Sequence, residues 1–170
     1  MVREQVEMFD IMPTVLELAG LKATHTHFAK SLVPQIRGEQ GDPHRLAFCE
    51  GGYDLHEPHC SEAYAEGKGR YPNLETKQNI YYPKLLQQKE YPESVCRTTM
   101  VRSLEYKYVK RTSGENELYD LINDPKECVN LYHKQGYKVV VDELEKKMLE
   151  WYMLTSDVVP IEEDPRGFGR

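Results

Sequence analysis

An α+β fold is predicted, in which short helices lead into a small antiparallel sheet of about three or four strands packed against a long C-terminal helix. Three observations predict it. Proline and glycine punctuate two short amphipathic segments near the start of the chain. Strand-like runs separated by turn residues occupy residues 95–121. Residues 137–154 then hold a sustained helical period of apolar side chains.

Composition narrows the function classes. The chain has 170 residues, enough for one compact domain or for a domain with an extension. It is 39% hydrophobic and 29% charged, which excludes a disordered or collagen-like chain. The net charge is −6, and no basic stripe interleaves with aromatics, so nucleic acid is not an expected partner. No run of about 18 apolar residues occurs, so no membrane-spanning helix is expected. The first residues carry no secretory pattern, which leaves the compartment open. Cys49, Cys60, Cys96 and Cys128 form no Cys-x-x-Cys pair, which argues against a zinc knuckle or redox motif.

The elements follow in order. Val6, Met8 and Phe9 suggest a short extended lead-in. Asp10 is a good N-cap, because its carboxylate can accept bonds from the free N–H groups of a first turn. Pro13 falls in that turn, Val15, Leu16, Leu18 and Ala19 supply an apolar face, and Gly20 stops the helix. The device recurs with Ser31, Pro34 and Gly38, after a polar connector holding Thr24, His25, Thr26 and His27. Arg45 to Gly51 has strand character and ends in a Gly-Gly turn.

Residues 52–94 read as a long loop, with one short helix near Lys84–Lys89. Loops of that length in compact domains usually serve a site. Val95–Arg102 and Tyr106–Lys110 form a hairpin about Ser103-Leu104-Glu105, and Glu117–Leu121 is a further strand. Asn123–Glu127 turns the chain into the last helix, whose apolar face is Val140, Leu144, Met148, Trp151 and Tyr152. The tail beyond Pro160 should lie extended over the surface.

Two histidine pairs suggest metal chemistry. His25-Thr26-His27 would place two rings on one face of a strand, and His56 with His59 could complete a tetrahedral set. Exposed loop histidines without metal explain the same residues, and no metal ligand is assigned.

Several stretches together resemble the sulfatase family of the alkaline-phosphatase-like superfamily. Asp10-Ile11-Met12-Pro13-Thr14 resembles the Asp-x-x-Pro-Thr helix that closes that family's large domain. Ser31-Leu32-Val33-Pro34 with Arg37-Gly38 resembles the segment that follows, although Ala29-Lys30 stands where Gly-Arg is usual. Glu105–Val109 resembles a hairpin strand of the small domain. Glu117-Leu118-Tyr119-Asp120-Leu121 through Asp124-Pro125-Lys126-Glu127 to Asn130-Leu131 resembles that domain's signature. The resemblance covers residues 6–50 and 97–160. It implies that residues 1–44 close a large domain, that 45–160 form the small domain with its 52–94 loop, and that 161–170 are a tail.

The family's nucleophile is a formylglycine made from a Cys/Ser-x-Pro/Ala-x-Arg motif, and no Cys or Ser of this chain begins one. The metal-binding Asp-Asp and Asp-Asn/His pairs of the family precede its closing helix. The resemblance therefore implies a C-terminal segment, inactive alone, of an enzyme that hydrolyses sulfate esters with calcium held by a missing N-terminal catalytic region. It also implies a sulfated small molecule or glycan as partner, with Glu50, His56, His59, Lys68 and Arg70 as candidate substrate contacts. Tyr71, Tyr81 or Tyr82 could stack on a sugar ring. A phosphodiesterase or phosphonate hydrolase segment and a non-catalytic binding or assembly domain remain alternatives. Val15, Leu16 and Leu18, if left uncovered, would promote homo-oligomers.

Overall fold

The computed structural model describes residues 4–54 and 82–161. A 3-10 turn at Met8–Asp10 runs into α1 (Ile11–Leu18), and α2 (Val33–Ile36) follows. Strand β1 (Ala47–Gly51) precedes α3 (Tyr82–Glu90) and a 3-10 turn at Pro92–Val95. Then β2 (Thr98–Arg102), β3 (Tyr106–Arg111) and β4 (Glu117–Asp120) lead to α4 (Lys138–Thr155). The strands form one antiparallel sheet in the order β1-β2-β3-β4, as the α+β reading expects.

Two compact units are distinguished. Met1–Phe48, Val101–Tyr108 and Glu117–Arg170 make up the first, and Cys49–Met100 with Val109–Asn116 make up the second.

In the first unit the core is where strand and helix faces meet. Val101, Tyr108 and Leu118 from three strands pack with Val141, Leu144 and Met148 of α4. Phe48 stacks on Trp151 with ring centroids 4.7 Å apart. The inner face of α4 is thus centred on Val141, which the sequence reading left out, while Tyr152 is exposed. The cause is a small rotation of the helix: 141, 144 and 148 share a face at three- and four-residue spacing, and 152 drifts off its edge.

Turn chemistry fixes the connections. Ser103 Oγ accepts from Tyr106 N at 2.9 Å and closes the β2–β3 hairpin. After β4, Asp120 Oδ1 accepts from Ile122 N and Asn123 N, and Asp124 Oδ2 accepts from Val129 N. Asn130 Oδ1 then accepts from Leu118 N at 3.1 Å and Tyr132 N at 2.9 Å. The most recognisable stretch of the sequence is therefore spent on backbone hydrogen bonds.

The punctuation of α1 is as read. Gly20 sits at φ 69°, with Gly20 N donating to Glu17 O and Leu21 N to Leu16 O. That pair of bonds needs a left-handed residue, which favours glycine. The lead-in differs from the extended reading, because Met8–Asp10 is a 3-10 turn. Asp10 does precede α1, but its carboxylate makes no cap bond to that helix. The preceding turn already offers Met8 O and Phe9 O to the Ile11 N–H, and this frees the carboxylate for other donors.

The expected tail, residues 161–170, lies outside the described residues from 162 on, and the chain just before it pairs with an earlier segment. Residues 159–161 pair with residues 24–26, and His25 and Pro160 form an antiparallel bridge.

Candidate functional site

Of the buried charged residues described in the first unit, Asp10 and Arg45 meet at one place. Asp10 is 0% exposed and Arg45 is 8% exposed. Four nitrogens reach the Asp10 carboxylate. Arg45 Nη2 at 2.7 Å and Lys30 N at 2.9 Å donate to Oδ1. Glu7 N at 2.8 Å donates to Oδ2, and Arg45 Nη1 lies 2.7 Å from that oxygen as an ion pair. Glu7 takes a second bond from the guanidinium, with Arg45 Nη2 donating to Oε2 at 3.1 Å, and its Oε1 accepts from Phe48 N at 2.8 Å. Thr14 completes the set: its hydroxyl donates to Asp10 O and accepts from Leu32 N at 2.9 Å.

Each residue of the Asp-x-x-Pro-Thr stretch thereby gains a physical reason. Asp10 and Thr14 lie one helical turn apart, so both face inward from the start of α1. Pro13, also buried, occupies the first turn, where no intrahelical N–H is required. Burial pushes the Asp10 pKa up, but the Arg45 hydrogen bonds and the Lys30 and Glu7 amides outweigh it and hold it below the usual carboxylate value. Arg45 is held above its usual value because its bonds to Asp10 and Glu7 outweigh its own burial. A carboxylate so fully engaged is not a base. The cluster ties Glu7, Asp10, Lys30 and Arg45 together.

The flank of α1 beside the Asp10–Thr14 face is apolar. Ile11, Val15 and Leu18, at helical spacing, are 53%, 57% and 62% exposed, and Met8 just before them is 80% exposed. One side of this helix is locked by charge and hydrogen bonds, and the flank beside it offers an uncovered apolar stripe.

In the second unit, Glu50 lies exposed near the end of β1, followed by Gly51 and Gly52. Gly52 adopts φ 83°, and a Cβ there would meet Cys96 O at 2.0 Å, so glycine is required. Tyr53 N donates to Val95 O at 2.8 Å. The chain leaving Glu50 is thus pinned beside Cys96, whose buried thiol donates to Ser113 Oγ at 3.4 Å. Burial pushes that thiol up, but hydrogen bonds from Ser113, Thr98 and Thr112 bring it below the ordinary thiol value.

His56, His59, Lys68, Arg70, Tyr71 and Tyr81 lie outside the described residues. Tyr82 is the first residue of α3 and is half-buried. His25 and His27 are exposed, and the His27 Nδ1 lies 3.1 Å from Ala29 O. Among the described residues, no three His, Cys, Asp or Glu side chains gather as a metal site would require. Among them, too, no helix is long and apolar enough to cross a membrane. Sequence reasoning missed Glu7 and Arg45. The available signal was an arginine directly before a strand, three residues from a phenylalanine that turns inward, which calls for a buried anionic partner.

Comparison with known proteins adds three findings. Residues 67–153, just over half of the chain, match a family model described as N-sulphoglucosamine sulphohydrolase, C-terminal. A search of curated protein sequences gave no match. Among solved structures, a phosphonate monoester hydrolase of Agrobacterium radiobacter aligns with a TM-score of 0.55 and 22% identity, over 85% of this chain and 24% of its own. A 2-O GAG sulfatase aligns with a TM-score of 0.55 and 21% identity, over 87% of this chain and 25% of its own. A protein crystallised with its substrate D-glucosamine-2-N,6-O-disulfate aligns with a TM-score of 0.56 and 21% identity, over 85% and 23%. The chain thus spans about a quarter of the length of these structures, and the likeness is one of fold.

Proposed function

The chain belongs to the N-sulphoglucosamine sulphohydrolase C-terminal family, and we propose that it serves as the closing helix and small domain of a sulfate-ester hydrolase whose reaction centre lies in a preceding region. The observation that carries this reading is the two-sided α1. Its inner side is fixed by the Asp10–Arg45 bonds, and its outer stripe of Ile11, Val15 and Leu18 is uncovered. An apolar stripe of this kind loses about 25 cal/mol of hydration penalty per Å² when a partner surface covers it. The partner is the apolar face of the preceding catalytic region.

The described residues of this chain supply no hydrolytic set. The Cys/Ser-x-Pro/Ala-x-Arg pattern is absent from the sequence, and the Asp10 carboxylate is committed to Arg45 and two amides. The described residues therefore do not fit a calcium site, and the cation belongs with the preceding region. The substrate is a sulfated glycan or sulfated small molecule, in keeping with the solved relatives that act on glycosaminoglycan or carry an aminosugar disulfate. Glu50 and the residues 55–81 that follow it, which include His56, His59, Lys68 and Arg70, are the stretch from which this segment would reach that substrate. A phosphonate ester is the second reading, because a phosphonate monoester hydrolase shares the fold.

The test is turnover of an aryl sulfate and an aryl phosphonate by the purified chain, with and without calcium. The chain is then assayed again joined to the polypeptide encoded immediately upstream. No turnover alone and sulfate turnover when joined is the expected result. Calcium-dependent turnover by the chain alone, abolished when His56 and His59 are replaced, would overturn the reading. Phosphonate turnover by the joined protein without sulfate turnover would favour the second.

A further inference from the structure

The stretch that leaves α4 crosses back to the other end of the first unit. Thr26 N donates to Val159 O at 2.8 Å, and Ile161 N donates to Thr24 O at 2.9 Å. Val159 N donates to Thr26 Oγ1 at 3.0 Å, a bond between residues 133 apart in sequence. Contacts so distant carry a large loop-closure cost unless the rest of the unit already holds both ends close. Here it does: α4 belongs to the core, and residues 24–26 follow the latched α1.

From Thr26 the chain runs through His27 to buried Ala29 and then to Lys30, whose N–H donates to Asp10. Four residues of extended chain span at most about 14 Å, so the position of Thr26 constrains that of Lys30. We propose that residues 157–161 are a strap that holds the 24–30 connector in register and so keeps the Lys30 amide on the Asp10 carboxylate. The end of the chain thereby controls the order of its closing segment. The proposal stands whether or not the segment belongs to a sulfate-ester hydrolase.

Two features make the strap the yielding part. Val158 and Ile161 are 52% and 41% exposed, so hydrogen bonds rather than burial hold it, and such elements open first. The other nitrogens on Asp10, from Arg45 and Glu7, belong to segments outside the connector. Release of the strap therefore loosens the connector without dissolving the hub. A ligand, a modification or a neighbouring chain that captured residues 157–161 would act on the closing segment through this route.

Amide hydrogen exchange of the full 170-residue chain tests it, with Thr26→Val and with a chain ending at Ser156. Thr26→Val removes the hydroxyl acceptor of Val159 N while keeping the side-chain shape. In both variants the Lys30 amide should exchange about tenfold faster or more, as the loss of one or two net hydrogen bonds implies, with Val141 to Met148 unchanged. Faster exchange confined to Thr26, with Lys30 unaffected, would overturn the proposal and leave the strap a surface pairing. Equal acceleration at Lys30 and in α4 in the Thr26→Val chain would also overturn it, because the pairing would then support the whole unit.

Discussion

The hub around Asp10 and the core around Leu118 belong to the same unit and are built on opposite principles. The core joins Val101, Tyr108, Leu118, Val141, Leu144 and Met148 by apolar contact. The hub joins α1, the connector and the start of β1 by charge and hydrogen bonds on Asp10, Arg45 and Glu7. Apolar packing is tolerant, since neighbours relax around a smaller side chain. A buried ion pair is not, since loss of one partner leaves the other charge desolvated. The difference fits their tasks. A core must be stable, whereas a helix with an exposed apolar stripe must be held at one orientation for its partner.

The comparison can be sharpened by perturbation. Arg45→Ala should cost about 3–5 kcal/mol, because it strands two carboxylates, and urea unfolding measures it. The paired change Asp10→Asn with Arg45→Met should recover part of that loss, Glu7 still being left without its guanidinium. If it does not, the hub is more than a stabiliser of α1. Leu118→Ala, at a fully buried position, should cost about 3 kcal/mol through lost burial and a residual cavity.

Acid should act on the hub before it acts on the core. The folded-state pKa of Asp10 lies below its unfolded value near 3.8, so its contribution is complete above that value and is lost as pH falls through the lower one. Denaturation midpoints followed from about pH 5 to about pH 2.5 should fall more steeply for the natural chain than for Asp10→Asn. Equal slopes would mean that other carboxylates dominate.

Tyr108→Phe should be milder, about 1 kcal/mol. It removes the phenol that donates to Glu145 Oε1 at 2.5 Å, and the half-buried Glu145 can take up water instead. Burial, with Glu145 alongside, pushes the Tyr108 pKa well above the ordinary phenol value, so the bond persists into alkali. The smallest effect on stability belongs to Val15→Lys, within about 0.5 kcal/mol, because the side chain is exposed. The same change should reduce self-association in sedimentation analysis. An unchanged sedimentation coefficient would remove the stripe as a surface for self-association.

Much of the fold was legible in the sequence because its signals are local. Gly20 stops a helix through a backbone conformation that favours glycine, and alternating or helical apolar spacing marks β2, β3 and α4. The Glu117–Asn130 signature could be read as scaffold, and its side chains do bind backbone amides. The hub was not legible in the same way. Asp10 read as a helix cap, since nothing in a linear pattern says that a carboxylate will reach an arginine 35 residues away. The strap was hidden for the same reason, its partners lying at opposite ends of the chain.

The sequence by itself determined most of the described helices, strands and turns, the Met8–Asp10 turn excepted, and a family resemblance that the matching family model supports. Those depend on interactions within a few residues, where side-chain type and spacing suffice. Tertiary structure alone decided which face of α1 is locked and which is open, what Asp10 binds, and where residues 159–161 pair. Those depend on distances between remote segments, which are fixed only when the sheet and α4 have packed.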